Sequence, residues 1–176
     1  AEKFLEARLS KTMMQHKIYA YISDGGIQEE ISQGVGRIAG NLGLNNLIMF
    51  YDSNDIQLST ECGVVISENT EMKYKAWGWN VITINGNDVS EIRQALNAAI
   101  KEEDHPTLII GKTIMGKGAL KEDGSSYERN VKTHGAPLGG NAYTNTIKNL
   151  GGNPENPFII FEDVKALYSK REKELN

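Results

Sequence analysis

The chain has 176 residues, enough for one domain with a substantial core and too few for two large ones. Its 19 basic and 23 acidic side chains leave a net charge of −4 with no block of five like charges, which argues against a nucleic-acid or anionic-membrane partner. The longest unbroken apolar runs, Ile18 to Ile22 and Leu47 to Tyr51, are five residues each, too short to cross a bilayer as a helix.

Phe4, Leu5 and Leu9 form a helical stripe at the start. Lys17 to Ser23 is a β-branched and aromatic run that predicts a strand. Ile27, Ile31, Val35, Ile38 and Leu42 then recur at helical spacing until Gly43 stops them. Asn46 to Asp52 is a near-continuous apolar strand of the kind buried on both faces. A helix is expected from Asn69 to Trp77 and a strand from Asn80 to Ile84. Asp88 and Glu91 form a capping box, opening a helix whose apolar face is Val89, Ile92, Leu96, Ala99 and Ile100. Pro106 to Thr113 is the next strand. Repeated βα units predict an α/β fold, a parallel sheet with helices on both faces.

From 114 to 140 the regular pattern disappears, and a loop that long is functional or disordered. Short helices near 141–150 and 161–174 close the chain. Residues 1–160 read as one incomplete domain containing the irregular loop 114–140. Residues 161–176 read as a charged terminal helix leading toward a linker and a second domain. The chain opens on Ala1 with no N-cap before its first helical stripe, so it reads as a piece of a longer polypeptide. The single Cys62 cannot make an internal disulfide, which fits a reducing cytoplasm, and no signal-peptide pattern precedes the first strand.

Two motif matches fail on context. Gly111-Lys112-Thr113 resembles the end of a phosphate-binding P-loop, but the first glycine of that motif would fall at Pro106, and the triplet ends a strand. Gly34-Val35-Gly36 and Ala39 match a dinucleotide fingerprint, with Asp52 about where a ribose-binding carboxylate would lie. The mechanism needs the first glycine directly after the strand, whereas Gly34 lies inside the amphipathic helix. Small residues there serve close helix packing instead.

The turn that does occupy the phosphate position is Ser23-Asp24-Gly25-Gly26. Asp24 ends one strand, and the glycines let backbone N–H groups approach an anion at a helix start. Asn54 ends the next strand. If the two strands are neighbours, Asp24 and Asn54 project into one crevice, where a carboxylate and an amide oxygen are hard ligands suited to Mg²⁺ carrying a diphosphate. Each residue singly is an ordinary turn former; the pair at matched strand ends turns the reading to a ligand site.

An Asp-Gly turn followed thirty residues later by Asn resembles the thiamine diphosphate signature. Five segments narrow it: Ser-Asp-Gly-Gly-Ile-Gln-Glu-Glu-Ile-Ser at 23–32, Phe-Tyr-Asp-Ser-Asn-Asp-Ile at 50–56, Lys-Tyr-Lys-Ala-Trp-Gly-Trp at 73–79, Lys-Thr-Ile-Met-Gly-Lys-Gly at 112–118 and His-Gly-Ala-Pro-Leu at 134–138. In this order they resemble transketolase. The resemblance implies that Asp24, the Asn54 side chain and the Ile56 carbonyl hold Mg²⁺ or Ca²⁺. It implies a backbone contact from Gly25 to the diphosphate, and Leu58 and Met115 as the apolar lining of the thiamine. His134 matches the residue that touches the diphosphate over the reacting centre and is the catalytic candidate. Glu29 matches a buried carboxylate of an acidic network linking the two sites of a homodimer.

The implied activity is transfer of a two-carbon ketol unit from a ketose phosphate to an aldose phosphate, in the cytoplasm, with phosphorylated sugars as substrates. This chain alone is expected to be inactive, because the family holds and activates the aminopyrimidine in a second domain. Alternatives are the small subunit of a split transketolase, a related ketol-transferring thiamine enzyme, or a non-catalytic association module. The sequence also departs from the family pattern. Ser23 replaces a more usual glycine and would be strained at positive φ. Gly34 stands where a second network glutamate is expected, and Gly118 to His134 is longer than usual, making that loop a candidate for mobility. His16 and His105 read as solvated connectors, and Trp77 and Trp79 as core and domain-contact residues.

Overall fold

Four strands form one all-parallel sheet in the computed structural model, which describes residues 1–10 and 15–175. They are β1 (Ile18–Ser23), β2 (Leu47–Ser53), β3 (Asn80–Asn85) and β4 (Thr107–Lys112), in the order β1-β2-β4-β3. The first two strands are neighbours, with Ser23 opposite Asp52. The chain then passes over the position of β4 to place β3 at the edge, and β4 returns to fill the gap, with Asp52 opposite Gly111.

Strand alternation sends successive side chains to opposite faces. Tyr51, Leu108 and Ile110 join Ile27, Ala39, Tyr74 and Trp79 in one core layer. The helices on that face are α2 (Asp24–Gln28), α3 (Glu30–Asn41) and α4 (Thr70–Ala76), which follow the short α1 (Glu2–Arg8). On the other face Ile48 and Ile109 pack with Ala95 and Ala99 of α5 (Val89–Lys101), flanked by Phe50, Ile82 and Leu96. β2 and β4 are therefore covered on both sides, as their apolar runs predict. Each fully buried Ile or Leu there contributes roughly 1.5–3 kcal/mol.

Three local expectations are corrected. The helix expected through Ile27 to Leu42 breaks at Glu29, whose backbone is extended (φ −63°, ψ 136°). Its apolar stripe does not pack inward: Ile31, Val35, Ile38 and Leu42 are exposed, and Gly36 and Ala39 face the core. Close approach is the reason. A Cβ on Gly40 would lie 1.9 Å from the Trp77 carbonyl oxygen, and one on Gly36 would lie 3.3 Å from the Tyr74 and Trp77 rings. Trp79 Nε1 donates to the Gly36 carbonyl at 2.7 Å across the same contact. Likewise Phe4 and Leu9 of the first stripe are exposed, while Glu2 is buried and accepts a hydrogen bond from Asn46 Nδ2 at 2.5 Å. At α5, Asp88 caps the N–H groups of Ser90 and Glu91, but the Glu91 carboxylate accepts from the Asn85 N–H rather than closing the box.

The chain divides into two compact units. Residues 1–115 with 129–135 form one, and 116–128 with the segment beginning at 136 form the other. In the second unit the turn 116–128, bridged at Leu120 and Ser126, is tied to α6 (Gly140–Asn149). Thr146 Oγ1 accepts the Leu120 N–H at 2.9 Å, and Asn149 Nδ2 donates to the Gly118 carbonyl at 2.9 Å. Much of the stretch read as an irregular loop is thus ordered by its own helix. α7 (Glu162–Leu175) buries no side chain, and among the described residues no helix is long and apolar enough to cross a membrane.

Candidate active site

The carboxyl ends of β1 and β2 meet at Asp24, which is 1% exposed. Its Oδ1 accepts the Tyr51 hydroxyl at 2.6 Å, and its Oδ2 accepts the backbone N–H groups of Asn54 at 2.9 Å and Asp55 at 3.0 Å. Burial, then the adjacent Asp24, push the Tyr51 hydroxyl far above its ordinary pKa, so it remains a donor. Asn54 is buried, and its Oδ1 accepts the Ile56 N–H at 3.1 Å in a turn of its own. Asp55 takes a left-handed conformation (φ 65°) that lets the chain reverse, and its carbonyl accepts the Cys62 N–H at 2.9 Å. Ser23 is extended at φ −102°, so the strain expected from replacing glycine there does not arise.

The residues present fit a divalent cation. Asp24 is a buried carboxylate whose side-chain oxygens are met, among the described residues, by neutral donors only. A carboxylate and an amide oxygen keep lone pairs beyond the hydrogen bonds they already accept. With the Ile56 carbonyl on the same turn, these are the hard oxygens that Mg²⁺ and Ca²⁺ take. Gly25 follows in the first turn of α2; it is exposed, and a Cβ there would meet nothing within 4 Å, leaving open room before its backbone.

The remaining predicted residues are less gathered. Met115 is half-buried just beyond β4, the strand beside β2, and its carbonyl accepts the Arg129 N–H at 2.9 Å, which brings the chain back to the sheet unit. His134 ends a short 3₁₀ turn, Val131–His134, and is exposed. Leu58 is 78% exposed. Glu29, expected to be a buried carboxylate, is exposed in this chain at the extended break between α2 and α3. A cleft of about 340 Å³ opens beside Asp24 and is lined by Tyr51, Asp55, Cys62 and Lys112; Leu58, Met115 and His134 do not line it.

Sequence reasoning missed several members of this corner. Tyr51 was visible only as part of an apolar run, and nothing local marks its hydroxyl as a partner of Asp24. Lys112 Nζ donates to Ser53 Oγ at 2.8 Å, joining the ends of β4 and β2. Cys62 is buried, and burial together with the charge of Asp24 raises its thiol to about 11. Asp52, set aside with the failed dinucleotide match, accepts hydrogen bonds from Tyr21 and Thr113.

A parallel sheet covered on both faces, with an acidic and an amide side chain at adjacent carboxyl ends, defines a cofactor-binding α/β domain of the class that seats its ligand at the strand ends. The family model described as the thiamine diphosphate binding domain of transketolase matches residues 1–176. The chain belongs to that family. It is 38% identical over 172 residues to a transketolase of Staphylococcus epidermidis, covering 96% of this chain and 25% of the relative. It is 34% identical over 175 residues to transketolase 2 of Xanthobacter flavus, covering 97% and 25%. Among solved structures, the transketolase of Campylobacter jejuni superposes with a TM-score of 0.87 at 36% identity, over 95% of this chain and 26% of that one. The transketolase from Leishmania mexicana gives 0.87 at 30% identity, over 96% and 25%. The chain thus spans about a quarter of the length of the relatives it matches.

Proposed function

We propose that this chain is the diphosphate-binding part of a cytoplasmic transketolase, which moves a two-carbon ketol unit from a ketose phosphate to an aldose phosphate. The observation that carries this reading is the Asp24 corner, a buried carboxylate satisfied by neutral donors and joined through backbone to Asn54. Asp24, Asn54 and the Ile56 carbonyl would hold a divalent cation, Mg²⁺ or Ca²⁺, and Gly25 would present its N–H to the diphosphate. Thiamine diphosphate supplies, when bound, a nucleophilic carbon that carries the ketol unit between sugars. The protein's part is anchoring and orientation: Leu58 and Met115 offer apolar surface to the thiamine. His134 would donate a hydrogen bond to the sugar at the reacting centre, and Glu29 would face the second subunit of a homodimer. The chain by itself would not turn over, since the pyrimidine half of the cofactor needs groups from outside it.

Calorimetric titration of thiamine diphosphate into the full-length polypeptide, with and without Mg²⁺, tests the reading. Mg²⁺-dependent binding that disappears in Asp24→Ala is the expected result. Binding that ignores both the metal and the substitution, or no binding at all, would overturn it.

A further inference from the structure

The carboxylate of Asp52 stands at the carboxyl end of β2, between the ends of the two strands that flank it. Tyr21 on β1 donates its hydroxyl to Oδ2 at 2.6 Å, and Thr113, just past β4, donates Oγ1 to Oδ1. The Tyr21 ring stacks on Phe50 of β2, with centroids 5.9 Å apart and planes within 3°, which sets the direction of the phenol. Phe50 packs in turn against Gly111 of β4, where a Cβ would come within 2.3 Å of the ring. The Thr113 N–H donates to the Ser53 carbonyl at 3.1 Å, so the exit from β4 is held at both backbone and side chain. One carboxylate thereby ties the ends of three adjacent strands.

The residues it ties lead directly into the site. Asp24 lies three positions after Tyr21, Asn54 two after Asp52, and Met115 two after Thr113. A carboxylate offers two separate oxygens, one to each donor, and hydrogen bonds to a charged acceptor are roughly twice as strong as neutral ones. We infer that Asp52 is a positioning residue of the cofactor site, clamping β1, β2 and β4 at one spacing so that Asp24, Asn54 and Met115 meet the same bound thiamine diphosphate. This rests on the cofactor reading above. Asp52 does not touch the cofactor in this role; it acts through the three strand ends.

The test compares Asp52→Ala, Asp52→Asn and Ile109→Val in the full-length polypeptide, measuring thiamine diphosphate affinity at saturating Mg²⁺ beside the urea midpoint. Ile109→Val is a buried destabilising control on β4 outside the site. Asp52→Ala should weaken binding about tenfold. Asp52→Asn should recover most of it, because hydroxyl rotors adapt to an amide, and Ile109→Val should leave affinity unchanged. If Asp52→Ala does not fold, Tyr21→Phe and Thr113→Val each remove one bond and should each weaken binding a few-fold. Unchanged affinity in the Asp52 variants, or affinity that tracks the urea midpoint in every variant including Ile109→Val, would overturn the inference alone. Absence of Mg²⁺-dependent binding in the unsubstituted protein would overturn the cofactor reading and the inference with it.

Discussion

Asp24 and Tyr51 meet at 2.6 Å in the interior of the sheet unit, one at the end of β1 and the other near the end of β2. Both are buried, at 1% and 7% exposure, so neither can turn to water if the other is removed. The pair fixes the carboxylate, whose hydrogen-bond donors among the described residues are all neutral, so a cation bound there would couple to the stability of this corner.

Replacing Tyr51 by Phe removes a donor from a buried carboxylate and should cost about 1–3 kcal/mol of stability without metal. Saturating Mg²⁺ should recover more of that loss in Tyr51→Phe than it adds to the unsubstituted protein. Urea unfolding with and without Mg²⁺ reads both numbers; equal metal increments would deny the coupling.

The glycines of α3 separate cleanly. Gly40→Ala sets a methyl group 1.9 Å from the Trp77 carbonyl oxygen and forces α3 away from the chain after α4. Overpacking of this kind costs about 1–3 kcal/mol. Gly34→Ala meets nothing within 4 Å and should stabilise by about 0.5–1 kcal/mol, the helix-interior preference for Ala. Thermal unfolding of the two variants should move in opposite directions.

Tyr74 is fully buried, and its hydroxyl has no hydrogen-bond partner among the described residues, while burial pushes its pKa up to about 12. Its ring is held by Trp79, edge on at 5.2 Å, and by Trp77 at 4.9 Å. Tyr74→Phe keeps these ring contacts and removes only the orphaned hydroxyl, so stability should rise by about 1 kcal/mol. A lower urea midpoint for Tyr74→Phe would show that the hydroxyl is satisfied in solution.

Cys62 gives a pH signature. Its thiol rises from 9.0 to about 11 in the folded chain, through burial and then the charge of Asp24. A folded pKa above the unfolded one means the contribution is complete below about pH 9. It is lost as the pH climbs toward 11, because the unfolded thiol ionises first. Between pH 8 and 10.5, stability should fall more steeply in the unsubstituted protein than in Cys62→Ala. A thiol-reactive disulfide dye at pH 8 should label Cys62 slowly when folded and at once in urea; fast labelling of the folded protein would contradict the burial.

The order of elements was legible because it is written in local patterns. The near-continuous apolar run at 47–51, the glycine at 43 and the cap at Asp88 each act within a few residues, and the strands and helices fall close to where these place them. The Asp24 and Asn54 pair was legible for the same reason, since strand ends and turn formers are local, and adjacency of β1 and β2 then brought the two together. The apolar stripe of α3 misled. Periodicity finds the apolar face of a helix, but this helix packs on its sheet through Gly36 and Ala39, where ring and backbone leave no room for larger side chains.

Chain order and side-chain chemistry alone thus carried the α/β class, the meeting of Asp24 and Asn54 at adjacent strand ends, and the family. The tertiary structure decided that β3 takes the edge, that Tyr51 rather than a lysine or arginine answers Asp24, and that Asp52 joins Tyr21 to Thr113. It also left Leu58, Glu29 and His134 exposed on this chain. Most of these depend on which residues from distant parts of the chain converge, a matter of sheet register and packing to which a local pattern carries no signal.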